Sequence, residues 1–178
     1  MSGVIDLLIV QGVLGACDVI WHHEWKERLP HRWGARREQL IHGARELHYA
    51  VFFIGIAWWE WQGTLAWLPV FVVGIELILT GWDFVEEDRT RRLCPTERIA
   101  HLILSMNGGI YLAWSAPIWH QWAASPTGLI AVSYGMRSWA LTVLALGVCL
   151  WDIRDLLSGW RLFRAPRHSA PIARALEV

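Results

Sequence analysis

Charge is scarce in this sequence, and what there is cancels. Asp, Glu, Lys and Arg make up 18% of the 178 residues, against roughly 25% in an ordinary soluble domain. Sixteen basic residues meet sixteen acidic ones, which excludes a global field for nucleic acid or another polyanion. Cysteine is scarcer still. Cys17, Cys94 and Cys149 are dispersed, so no disulfide scaffold is expected and thiolate ligation is disfavoured. No basic flank precedes Val4 and no small-residue cleavage site follows it, so the first apolar stretch reads as a retained helix. Internal repeats are lacking. Hydrophobic residues, by contrast, make up 54%, with 14 tryptophans. That content excludes disorder and leaves an integral membrane protein or an unusually apolar helical domain.

Run length decides between these. A helix needs about 20 mostly apolar residues to cross the hydrocarbon layer. Five stretches qualify, at residues 4–25, 39–61, 65–85, 99–122 and 129–151. The expected fold is therefore all-α, an integral membrane protein of five transmembrane helices. The connectors set its orientation. Residues 25–37 hold five Lys/Arg and residues 88–98 hold four, and more arginines follow Trp151; the other two connectors hold none. The positive-inside rule then puts the N-terminus outside a bacterial cytoplasmic membrane and the C-terminus inside. Residues 1–163 form one transmembrane domain. Residues 152–163 read as a short amphipathic helix on the inner surface, and 164–178 as a loose cytoplasmic tail. Tryptophans near the helix ends read as interfacial belts. Asn107, Gly108 and Gly109 read as a site of close helix approach.

Ionisable groups inside a membrane are costly and ask for a reason. Here they form stripes. The first segment carries Asp18 and His22. The second carries Glu38, His42 and Glu46, with Tyr49 next on that face. The third carries Glu76, Thr80, Asp83 and Glu87, and the fourth Glu97 and His101. At about 100° per residue, positions four or seven apart share a narrow face. Asp18, His42, Asp83 and His101 also fall at one depth, roughly 7–11 Å from the inner helix ends, with Glu46 and Glu76 roughly 14–18 Å deep. Helices one to four are thus expected to form an antiparallel bundle around a polar cluster near the cytoplasmic face. His23 and His48 point roughly 100–120° away and are left out. Helix five offers no obvious ligand and is expected to pack beside the bundle or against a partner subunit.

The facing set comprises Asp18, His22, His42, Glu46, Glu76, Asp83, Glu87, Glu97 and His101, with Arg45 as the internal cation. Each carboxylate–histidine pair can be read plainly as a buried ion pair. So many carboxylates without counter-charge must otherwise protonate or bind cations. Two divalent ions resolve the conflict, and mixed carboxylate–imidazole ligation suits iron, with zinc or manganese as alternatives. The expected ligands are Asp18, His22, His42, Glu46, Asp83, Glu87, Glu97 and His101. Tyr49 and Glu76 would act in catalysis on the approach from the membrane core.

The pairs Asp18-x3-His22, Glu97-x3-His101 and the inverted His42-x3-Glu46 resemble the ligand set of the di-iron carboxylate, ferritin-like helical bundles. That family spaces its pairs by three residues, not four. The histidine boxes of membrane desaturases are absent. Trp21–Pro30, Phe84–Asp88 and Glu97–His101 resemble an uncharacterised family of small bacterial multi-spanning membrane proteins. The first resemblance implies a helical bundle with a di-metal centre; the second implies a small multi-spanning membrane protein and carries no known activity. The expected function is a di-iron oxidoreductase acting on a lipid-soluble small molecule. Alternatives are a zinc-dependent membrane hydrolase, a haem- or pigment-binding protein, and a non-catalytic subunit of a larger membrane complex. The outer half is nearly bare of charge, which argues against an ion path across the membrane.

Overall fold

A computed structural model describes residues 1–164. The expected tail at 164–178 lies, apart from Arg164, outside the described residues. Five helices make up the fold: α1 (Ser2–Asp18), α2 (Arg36–Trp58), α3 (Trp67–Thr90), α4 (Pro95–Ala123) and α5 (Met136–Arg164). Two short strands, β1 (Trp59–Gln62) and β2 (Gly128–Ala131), pair antiparallel, with Trp59 opposite Ala131 and Gln62 opposite Gly128. These strands lie at the two connectors without basic residues and tie the helices together at one end of the bundle, the end expected to be the outer one. Gly63 makes the turn out of β1 at φ +61°. A Cβ there would stand 2.6 Å from the Thr127 backbone nitrogen, so only glycine fits.

Among the described residues two helical segments, not five, are long and apolar enough to cross a membrane, Ser2–Lys26 and Gly63–Thr90. The other three helices fall short because polar residues interrupt their apolar runs. α2 carries Arg45 and Glu46 mid-length, α4 carries His101 and Asn107, and α5 carries Asp152, Arg154 and Asp155. Of these Glu46, Asn107, Asp152 and Asp155 are buried, whereas Val51, Ile103, Met106, Val143, Leu146 and Leu150 on the same helices are exposed.

α5 is an integral part of the bundle, contrary to the expected four-helix arrangement. It packs along α2 for most of its length and also against α1. The contact is close because glycines face bulk. A Cβ at Gly43 would come within 2.9 Å of Leu156, and one at Gly159 within 2.8 Å of Leu40. Gly109, expected at such a contact, instead faces open space, and Gly108 meets only Tyr111. The stretch 152–163 is not a surface helix either. α5 runs unbroken to Arg164, and Asp152, Asp155 and Ser158 are buried.

The interior has two layers. The outer half is an apolar core of Ile5, Leu8, Phe53, Ile56, Tyr111 and Leu141. Several tryptophans serve this core as well as its rim. Trp122 is buried, and Trp58 stacks edge-on against Trp139 while its indole N–H donates to Thr142 Oγ1 at 2.9 Å. The inner half is almost wholly polar, and α1 changes character on reaching it. Residues Val19–Lys26 form a π-helix, closed by the Glu27 N–H donating to the His22 carbonyl five residues back at 2.8 Å. Such wide turns are rare and concentrate at functional sites.

Candidate metal centre

The π-helical turn brings His23 inward beside His22, both being buried. In an ordinary helix, position 23 would leave the face of Asp18. With an i→i+5 repeat, the residue five beyond Asp18 returns to that face. His23 is accordingly buried, at 1% exposure. Its ring lies 4.6 Å from that of His42 on α2, centroid to centroid. All four ring nitrogens of this pair are buried without a hydrogen-bond partner. A buried polar atom left unsatisfied costs about 1–3 kcal/mol, so four together on two adjacent imidazoles require an explanation.

Carboxylates flank both rings. His23, Glu87, Glu97 and His101 each present one donor atom within 4.8 Å of the others, and His42, Glu46 and Asp155 do the same. His23 Nε2 stands 3.7 Å from Glu97 Oε1, and His101 Nδ1 3.6 Å from Glu87 Oε2. His42 Nε2 stands 3.6 Å from Glu46 Oε1, and its Nδ1 3.6 Å from Asp83 Oδ2. These separations are too long for good hydrogen bonds. They match donors sharing an ion: two ligand atoms each about 2.0–2.2 Å from a metal lie roughly 3–4.4 Å apart. In the second group every member has an orphaned donor atom, since Glu46 Oε2 and Asp155 Oδ2 also lack partners, as does Asp83 Oδ1 beside them.

Arginines brace this acidic centre. Arg91, in the loop between α3 and α4, donates to both oxygens of Glu97 at 2.7 and 2.8 Å, to Glu38 at 3.0 Å and to Glu87 at 3.5 Å. Burial would weaken its basicity, but the bonds to Glu97 and Glu38 outweigh that and hold Arg91 above the ordinary arginine range. Arg45 pairs with Asp83 and stands 3.5 Å from Glu76. Arg154 pairs with Glu24 and, at 2.8 Å, with Asp155. These three guanidiniums leave Asp18, Glu46 and Asp152 without one, although all three acids are buried. Asp18 and Glu46 face only histidines, His22 and His101 for the first and His42 for the second. Buried carboxylates without a full counter-charge are costly, and divalent cations would offset them.

The other expected site residues divide. Asp18 joins the centre, its Oδ2 3.2 Å from His101 Nε2. His22 belongs to neither donor group: its Nδ1 lies 2.6 Å from Asp18 Oδ1 and its Nε2 3.1 Å from Thr96 Oγ1, so it orients Asp18. Glu76 accepts from the Thr80 hydroxyl at 2.6 Å, and the Tyr49 hydroxyl accepts from Gln11 at 3.4 Å. Glu76 and Tyr49 border an apolar cavity of about 440 Å³, which runs down to Asp18, His23, His42, Glu87 and His101. His23 and Asp155 are the participants that angular reasoning misses. The Asp152–Asp155–Ser158 spacing on one face of α5 was the available signal for the second of them.

No known protein family, curated protein or solved structure matches the chain.

Proposed function

We propose that the chain is a membrane-embedded dinuclear metal oxidoreductase acting on a lipid-soluble substrate. One observation carries this reading: the adjoining His23 and His42 have four orphaned nitrogens, each ring standing in its own group of carboxylates. In this reading His23, Glu87, Glu97 and His101 hold one ion, and His42, Glu46 and Asp155 hold the other. Asp18 and Asp83 lie alongside, and Arg91, Arg45, Arg154 and His22 position the carboxylates. Oxygen and nitrogen donors without thiolate favour iron over copper(I). The site is richer in carboxylate than a three-ligand zinc site, which counts against the hydrolase. Rings with centroids 4.6 Å apart leave no space for a haem between them.

The membrane part of the proposal rests on the exposed apolar side chains. All five helices present them outward, among them Val13, Val51, Ile78, Met106 and Leu146, while many acids, Asp18, Glu46, Glu76, Asp83, Glu87 and Glu97 among them, are buried. Asp6 and Arg137 pair with each other on the exposed surface. In this reading α1 and α3 span on their own apolarity and the other three helices span beside them with their polar faces inward, the basic connectors and the metal centre lying at the cytoplasmic end. The reaction class is oxidation of an aliphatic C–H bond by dioxygen. One oxygen atom enters the substrate as hydroxyl. The other leaves as water, taking two protons and two electrons from an external electron-carrier protein.

The test is oxygen uptake by protein in lipid nanodiscs, loaded anaerobically with iron(II). The expected result is rapid uptake of about one dioxygen per two irons, and none with zinc loading. Bound iron that stays ferrous in air would overturn the redox assignment.

A further inference from the structure

The cavity above the centre has a side opening. Extensive packing runs from α3 to α2, then to α5, α1 and α4, and among the described residues it does not close between α4 and α3. Those two helices meet at the inner end, where Phe84 stacks on His101 at 5.3 Å. At the outer end the 3-10 turn Gly63–Ala66 packs on α4. Between these points lies a seam. Leu77 and Thr80 border it on α3, and Ser105, Gly108 and Gly109 on α4; all line the cavity. A Cβ at Gly109 would meet nothing within 4 Å, nor would one at Gly147 on the far wall. The outer surface beside the seam is apolar: Leu77, Ile103 and Met106 are all exposed.

Shape and chemistry narrow the occupant. On α4 the lining runs from His101 to Leu112, about 16 Å at 1.5 Å per residue. A volume of about 440 Å³ drawn out along that length, as a channel, suits an extended chain. Of the polar side chains lining it above the centre, Gln11, Tyr49, Thr80 and Glu76 are hydrogen-bonded within the protein: Thr80 donates to Glu76 at 2.6 Å, and Asn107, outside the lining, holds Gln11. Asn107 donates to Gln11 Oε1 at 2.7 Å, and Gln11 donates to the Tyr49 hydroxyl at 3.4 Å. They offer an occupant little to bond to, which suits hydrocarbon and not a polar headgroup.

We infer that the α3–α4 seam is a lateral portal through which the hydrocarbon chain of a membrane lipid enters this channel, its reacting segment at the inner end. The position of the reacting segment rests on the dinuclear reading; the portal does not. Binding of 16-doxyl-stearic acid, read as the immobilised component of its electron spin resonance spectrum in phosphatidylcholine nanodiscs, tests it. Gly109→Phe, which blocks the seam, and Gly147→Leu, which fills the channel from α5, should each weaken probe binding at least tenfold. Gly74→Phe, on α3 away from the channel, should leave it unchanged. Metal content and a monodisperse gel-filtration profile are measured on the same samples. The portal is overturned if wild type shows no immobilised probe, if both blocking variants bind like wild type, or if Gly74→Phe weakens binding as much as they do. Probe bound by a protein that takes up no metal supports the portal and sinks the dinuclear reading alone.

Discussion

Replacing His23 or His42 by alanine is expected to lower bound metal from two ions per chain to about one. The double variant should retain none. Each histidine stands in a separate donor group, so the two losses are independent to first order. Removing a group that merely supports a ligand typically costs 10–100-fold in metal affinity, so loss of a ligand itself should cost at least about a hundredfold. Elemental analysis after gel filtration reads the outcome. His22→Ala is the informative control. That side chain bonds Asp18 and Thr96 and enters neither donor group, so its loss should weaken binding modestly and leave the stoichiometry near two. If His22→Ala strips a metal while His23→Ala does not, the ligand assignment is wrong.

Arg91→Ala is expected to be the most damaging substitution for stability. The guanidinium binds Glu97 through both oxygens and also Glu38, and these two acids are fully buried. Breaking a buried pair by removing one partner costs about 3–5 kcal/mol, because the other charge is left uncompensated. Arg91→Lys should recover only part of this, since an ammonium cannot reproduce the two-pronged contact. Denaturant unfolding in detergent measures the difference. The metal readout separates bracing from ligation. Glu87 and Glu97 belong to one donor group only, so protein that still folds should lose the ion at His23 and His101 and keep the one at His42. Equal loss of both ions would show that Arg91 acts on the bundle as a whole.

Much of the centre was legible because periodicity and depth are independent constraints. Asp18, His42, Asp83 and His101 share one depth, and Glu46, Glu87 and Glu97 lie on the same stripes; the fold places these residues around the two donor groups. The misses have distinct physical origins. His23 was excluded by a 100° step, and the chain takes a π-helical step at that place. Asp155 was passed over because the basic residues around it resemble a surface helix. Yet Arg154 reaches across the bundle to Glu24 and also pairs with one oxygen of its neighbour Asp155, and α5 continues inward. Gly108 and Gly109 fit a helix contact equally well in sequence, but small residues also line voids, and only the course of α3 distinguishes the two. The span count suffered from the centre itself: the charges that build it lower the apolarity of α2, α4 and α5.

The most direct test of the account is the metal content of wild-type protein purified in detergent, with the metal–metal separation measured by X-ray absorption. The account predicts two ions per chain, with a metal–metal vector of about 3.5–4 Å. No metal after reconstitution with iron(II), manganese(II) and zinc(II), or a single ion with no metal neighbour, would contradict it.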